Sequence, residues 1–340
     1  MHLLQLFQSI FRSGPGDTPS HPAELITRAI ERAVNGTDPR LHAVSGYQKN
    51  LRSAVIHAID HVVALVDGLP AVLDLNPESY GSDPEITAYF ASVEHLREVL
   101  ERDPTLNQWR RSGDGAIAEQ AVMLMLMTLH ERNSFGVALE GDVLRHDTAQ
   151  TTVSFSKHQL VDPTGAEDET RRLLKRRAFD HLLALALGRM ATAVAERGAL
   201  ERERDLLRRK RAALAAGQWG FDEPGDDKPS DPHALQQQLK DIESQLSSLG
   251  TGTELLKAHL DLLMDVLMHA EDNFWSAPSS LIVDRMGVKQ TQATALAPEI
   301  SLTVLHNAAG QNLIARVVRV GREVLPAQCD LLREAERYLG

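Results

Sequence analysis

The chain has very few of the residues that stabilise small disulfide-rich or all-β proteins. It contains one cysteine, Cys329, in 340 residues. A single cysteine excludes an internal disulfide framework and a zinc site built from several cysteines, and it fits a reducing, cytoplasmic setting. Aromatic residues make up only 4% of the chain. Because leucine and alanine are abundant instead, the composition favours helices over an all-β fold.

Several functional signatures are also missing. No run of 18 apolar residues is free of charge, so we expect no transmembrane helix. The chain has no phosphate-binding loop, no dinucleotide-binding glycine motif and no nucleophile elbow, so we expect no cofactor. The net charge of −11 argues against general binding to nucleic acid. With 43% apolar residues over this length, the chain can bury a core in about two structural units.

Hydrophobic periodicity divides the chain into segments. It predicts a mainly α protein with a minor antiparallel β-sheet (α+β), in which a helical bundle accompanies a long antiparallel, coiled-coil-like helical hairpin inserted between strands. The run Ala116–His130 is predicted to be a buried helix of the bundle, because its residues 121–127 are apolar all round. The predicted segments are an amphipathic helix (1–13), a flexible linker (14–22), the helical bundle (23–133), a β-hairpin (134–164), the helical hairpin (165–275) with its tip loop (217–231), strands that complete the sheet (276–326) and a terminal helix (327–340).

The strongest pattern is a heptad repeat in the second arm of the predicted helical hairpin. Its positions alternate by four and three residues without interruption, which is typical of a helix packed along one seam. Gly250 and Gly252 lie within the repeat without changing its phase, so we predict one continuous but weakened helix. The heptad positions are Leu235, Leu239, Ile242, Leu246, Leu249, Thr253, Leu256, Leu260, Leu263, Leu267 and Ala270.

The two arms have opposite charge. Residues 171–211 contain 13 Lys+Arg and 5 Asp+Glu, a net of +8, whereas residues 233–272 contain 2 Lys and 7 Asp+Glu, a net of −5. Such helices are expected to pair antiparallel across a short connection. The basic arm offers leucine only every seventh residue, so the distal seam of Leu235, Leu239 and Ile242 is predicted to bind a second copy of the chain, giving a homodimer.

The N-terminal segment is a second predicted docking element. Its large apolar side chains lie on one helical face, and a linker rich in proline and glycine follows it. This pattern is typical of a helix that docks on a protein partner, lies on a membrane surface or packs on its own body. The apolar face comprises Leu3, Leu4, Phe7, Ile10 and Phe11.

The tip loop carries two aromatic residues, Trp219 and Phe221, between breakers and acidic residues. They either contact a partner or fold back on the helix ends. The basic run Arg208–Arg211 has two interpretations as well. It could bind an anionic surface of nucleic acid or lipid, but the acidic arm that follows in the chain favours pairing within the hairpin.

One helix carries His57 and His61 four residues apart, with Asp60 between them. That spacing places both imidazoles on one face, as metal ligands require, and defines an alternative function as a metal-dependent hydrolase. The surrounding valines and isoleucines favour a core-facing helix without a metal. We therefore expect a non-enzymatic scaffold or adaptor in the cytoplasm, peripheral to a membrane if residues 1–13 bind lipid.

Overall fold

The computed structural model describes residues 21–140, 143–215, 232–248 and 252–325. The chain is an α+β protein, as predicted. The helices are α1 (Ala23–Gly36), α2 (Tyr47–Asp67), α3 (Pro84–Tyr89), α4 (Val93–Arg102), α5 (Pro104–Arg110), α6 (Gly113–Ile117), α7 (Glu167–Ala215), α8 (Pro232–Ser248), α9 (Thr253–Met268) and α10 (Ala270–Asn273). The strands are β1 (Leu73–Asp74), β2 (Gln120–Glu140), β3 (Val143–Thr164), β4 (Phe274–Ile282), β5 (Glu299–Asn307) and β6 (Asn312–Gly321).

The sheet has the strand order β3-β2-β6-β5-β4, with antiparallel neighbours throughout. The short strand β1 pairs in parallel with the end of β6, where Leu73 lies opposite Val318. Helices α7 to α10 occupy the chain between β3 and β4. The prediction of a helical insertion between strands is therefore confirmed.

The chain divides into two compact units. One comprises Met1–Asp60 with Phe179–Ala270, and the other comprises His61–Ala178 with Glu271–Gly340. In the first unit, α1 buries the apolar stripe that its spacing predicts: Leu25, Ile26, Ile30, Ala33 and Val34. The second unit contains the sheet, with a cluster of buried apolar side chains on each of its faces.

The prediction of a buried helix over residues 116–130 is wrong. The short helix α6 ends at Ile117, and the strand β2 begins at Gln120. Met123 and Met125 join the cluster that contains Leu96, whereas Val122 and Leu124 join the other. Successive residues of a strand point to opposite faces, and here both faces are covered. The run is therefore apolar at every position, a pattern that periodicity cannot distinguish from a buried helix.

Two further helix predictions need correction. In the predicted bundle, the apolar residues Phe90, Val93, Leu96 and Leu100 follow Pro84 at helical spacing and predict one helix. The structure has two helices there, since α3 ends at Tyr89 and the Ser92 side chain caps α4 by accepting the His95 N–H. The heptad helix is not continuous either. Gly252 has φ +53°, a left-handed conformation that a helix cannot contain, and α9 begins only after it.

Candidate interaction surface

Ion pairs between described residues join the two arms of the helical hairpin. Arg208 Nη2 lies 2.6 Å from Glu243 Oε1, and Arg189 Nη1 lies 3.1 Å from Asp265 Oδ2. From Arg189 to Arg208 the residue number rises by 19 along α7, while that of the paired residue on the other arm falls by 22, from Asp265 to Glu243. The arms are therefore antiparallel, as their opposite charges predict. Arg208, the first residue of the basic run, contacts the acidic arm.

The expected uncovered seam is not present. Leu235, Leu239 and Ile242 are only 3–7% exposed in the single chain. This burial removes the reason for placing a partner on them. On α7, the partly buried positions 193, 197, 200, 204 and 207 also follow a four-three spacing. Arg197 and Arg204 fill two of these positions, and the apolar stems of arginines cover neighbouring apolar surface.

A different face of α7 is uncovered. Leu187 and Val194 are 44% and 46% exposed, although both are large and apolar. At about 100° per residue, they share a face roughly 120° wide with five small residues. We call this set the small-residue face; it comprises Ala184, Leu187, Gly188, Ala191, Val194, Ala195 and Gly198.

The small-residue face has open space above its glycines. A Cβ atom built on Gly188 or on Gly198 would have no atom of another residue within 4 Å. The five small residues follow a heptad spacing of 4, 3, 4 and 3 from Ala184 to Gly198. A search for large apolar residues misses this repeat, but a search for alanine and glycine at heptad spacing would have found it.

Helix α7 also has the length and composition of a membrane span. Its residues Glu167–Ala212 include an 18-residue window with a mean hydropathy of 1.3, a third of which is buried. No such helix was expected, because the window contains charges. A helix packed in a core or at an interface meets the same criteria, so this finding alone does not assign α7 to a membrane.

A buried polar pair fixes the second arm of the hairpin to the turn after α1. His259 Nδ1 of α9 lies 2.8 Å from Asp38 Oδ2, and both side chains are nearly inaccessible to solvent. Asp38 also receives the guanidinium and backbone N–H of Arg40. Hydrogen bonds from Arg40, and secondly from His259, hold the pKa of Asp38 well below its usual range.

The predicted metal ligands have other partners. His61 Nε2 lies 2.7 Å from the Phe274 carbonyl oxygen, to which it donates. Asp60 Oδ1 lies 2.7 Å from His21 Nε2. In the described part of the chain, no three His, Cys, Asp or Glu side chains are grouped as metal ligands. The hydrolase hypothesis thus keeps only the spacing of His57 and His61 as its support.

Other predicted contact residues lie outside the described residues, namely Leu3, Leu4, Phe7, Ile10, Phe11, Trp219 and Phe221. Comparison with known proteins adds no further site. No family model, curated protein or solved structure matches this chain. The small-residue face is thus the interaction surface that the described geometry itself provides.

The arm pairing can be tested by cross-linking. Interpolation between the two ion pairs places Arg197 opposite residues near Glu254. In a Cys329→Ser background, we expect Arg197→Cys with Glu254→Cys to form a cross-link within one chain, read by mass spectrometry. Asp205→Cys with Glu254→Cys is the matched control, because residue 205 lies about 12 Å further along the helix. Equal yields for the two pairs would contradict this register.

Proposed function

We propose that the protein is a non-enzymatic interaction protein that assembles through its helical hairpin. The observation that carries this proposal is the uncovered small-residue face of α7, with Leu187 and Val194 about half exposed. Contiguous apolar surface of this kind is typical of an interaction site. Small residues allow two helix backbones to approach closely, which favours another helix as the partner.

A second copy of the chain fits this face. If two α7 helices cross antiparallel about a two-fold axis at Ala191, Leu187 of each copy lies opposite Ala195 of the other. Val194 lies opposite Gly188, and Ala184 opposite Gly198. Each larger side chain then meets a small one, so the surface is complementary to itself, as an isologous dimer requires. We therefore propose a homodimer formed through the small-residue face.

The N-terminal segment and the tip loop remain proposed contacts for a further protein partner. Their support is the apolar face of residues 1–13 and the aromatic residues Trp219 and Phe221. A lipid surface is the alternative for residues 1–13, which would place the protein at a cytoplasmic membrane surface. No observation favours the metal-dependent hydrolase or the anionic-surface binder over assembly.

Sedimentation equilibrium of the full chain tests the proposal. We expect a dimer at tens of micromolar and a monomer for Leu187→Lys, because that change places an unpaired charge in the apolar contact. The control is Leu206→Lys, since Leu206 is 65% exposed on the same helix but lies about 12 Å beyond Gly198. A monomeric wild-type chain, or equal loss in both variants, would refute a dimer through this face.

A further inference from the structure

A groove of about 640 Å³ lies in the unit that contains the sheet. One wall is the end of α4 with the start of α5, and the other wall is residues 157–161 of the edge strand β3. The volume is that of a small-molecule site. Its polar lining includes His95, Arg102, Asp103, Lys157 and His158.

One β-bulge shapes the strand wall of this groove, and a second bulge lies just beyond the wall on the same strand. Between Leu126 and Thr128 of β2 the register shifts, so that Lys157 and His158 together face Met127. A second register shift lies between Val122 and Leu124 of β2, opposite the stretch of β3 that contains Asp162. Lys157 and Asp162 have φ values of 54° and 50°, and no other described non-glycine residue has a positive φ. Bulges re-aim side chains, and such strained residues concentrate at functional sites.

His158 presents a hydrogen-bond acceptor to the groove. Its Nε2 lies 2.9 Å from the Tyr89 carbonyl oxygen, which can only accept, so this nitrogen carries the proton. Its ring stacks on Phe90 with centroids 5.0 Å apart. Burial lowers the pKa of His158 to about 4. The ring is therefore neutral at pH 7, with a lone pair on Nδ1.

His95 presents the complementary donor. Its Nδ1 accepts the Ala91 N–H at 3.2 Å, and this hydrogen bond places the ring proton on Nε2. The rings of His95 and His158 meet edge to face, with centroids 5.1 Å apart. A donor on the helix wall and an acceptor on the strand wall thus lie close together where the two rings meet. A metal ion does not fit this pair, because the free nitrogen of His95 carries the proton.

Asp103 excludes an added strand from the groove. Its Oδ2 accepts the outward N–H of Leu160 at 3.0 Å, and its Oδ1 accepts the Leu106 N–H at 2.8 Å. Because the edge amide is already bonded, a peptide cannot extend the sheet there. Arg102 pairs with Glu98. Lys157 has no ion pair among the described residues, so it is the cation available to a ligand.

We propose that this groove binds a small molecule with an amide-like edge and an anionic group. An amide-like edge has an N–H next to an acceptor atom, which matches His158 Nδ1 and His95 Nε2. The anionic group would contact Lys157. A nucleoside monophosphate and an N-acylated amino acid share this chemistry.

Three probes separate these sources: adenosine monophosphate, N-acetylglycine and inorganic phosphate alone. The readout is the imidazole ¹H–¹⁵N spectrum of the full chain, with Kd from titration. We expect at least one of the first two probes to shift the His158 and His95 signals, and phosphate to leave them unchanged. Whichever probe binds identifies the ligand class. Failure of both probes at 10 mM, on the order of the weakest useful affinity, would overturn the proposal; so would equal shifts with phosphate.

Two variants test the assigned roles. Lys157→Gly removes the cation and relieves the left-handed backbone, so we expect about tenfold weaker binding together with a higher thermal midpoint. Asp162→Gly is the matched control, because it relieves the second bulge outside the groove and should leave the Kd unchanged. His95→Phe keeps a ring beside His158 but removes the donor, and about fivefold weaker binding is expected. Unchanged binding in both groove variants would overturn the assignment.

Discussion

Gly188→Leu is expected to weaken the dimer without lowering the stability of the folded monomer. The position is exposed within α7, and an added Cβ meets no other residue. Leucine forms helices better than glycine by roughly 0.8–1 kcal/mol, so the monomer should gain stability. In the proposed dimer, the new side chain would occupy the space of Val194 of the partner subunit. Overpacking of this kind costs about 1–3 kcal/mol, which corresponds to a Kd raised by roughly 5- to 150-fold.

Gly188→Leu is thus expected to raise the stability of the monomer and to weaken the dimer. One variant therefore separates assembly from folding. Sedimentation equilibrium measures the Kd, and urea unfolding at a concentration well below that Kd measures the monomer. Glu196→Leu is the control, since it adds the same side chain to an exposed position about 140° from Ala191 around the helix. It should leave the dimer intact. A Gly188→Leu protein that still dimerises with wild-type affinity would place the contact elsewhere.

A large pH effect is expected from His158. Its pKa falls from 6.5 to about 4 in the folded chain, chiefly because burial disfavours the charged ring. Between pH 4 and pH 6.5, His158 is therefore protonated in the unfolded chain but neutral in the folded chain. The free energy of unfolding is therefore highest above pH 6.5 and falls as the pH is lowered towards 4, by roughly 2–3 kcal/mol from this group.

Urea unfolding of wild type and His158→Phe from pH 4 to pH 7.5 measures this contribution. Phenylalanine keeps the flat contact with Phe90 but does not titrate, so the variant should lose most of this slope. Burial also lowers the pKa of His181. His181 is present in both proteins, so it contributes equally to the pH dependence of their free energies of unfolding. The difference between the two curves therefore isolates His158. Identical slopes would show that His158 is not held neutral in the folded chain.

Some local features could be predicted from short stretches of sequence. The stripe of α1 and the alternation in the first half of β5 follow from how often apolar residues recur. The caps at Asp38 and Asp83 are equally local, because a side chain two or three residues away satisfies a free N–H of the helix. The opposite charges of the arms predicted their pairing, because two oppositely charged helices joined by a short connection attract each other.

The sequence by itself determined the α+β class, the helical insertion between strands and the antiparallel hairpin, because local periodicity and charge carry all three. Only the tertiary structure decided the rest. The seven consecutive apolar residues 121–127 form part of the strand β2, and helices cover both faces of the sheet there. The sequence of these seven residues alone does not distinguish such a strand from a buried helix. The covered seam and the open small-residue face depend on which side of α7 meets its partner arm. His95 and His158 lie 63 residues apart, and only the packing of α4 against a bulged edge strand brings their rings together.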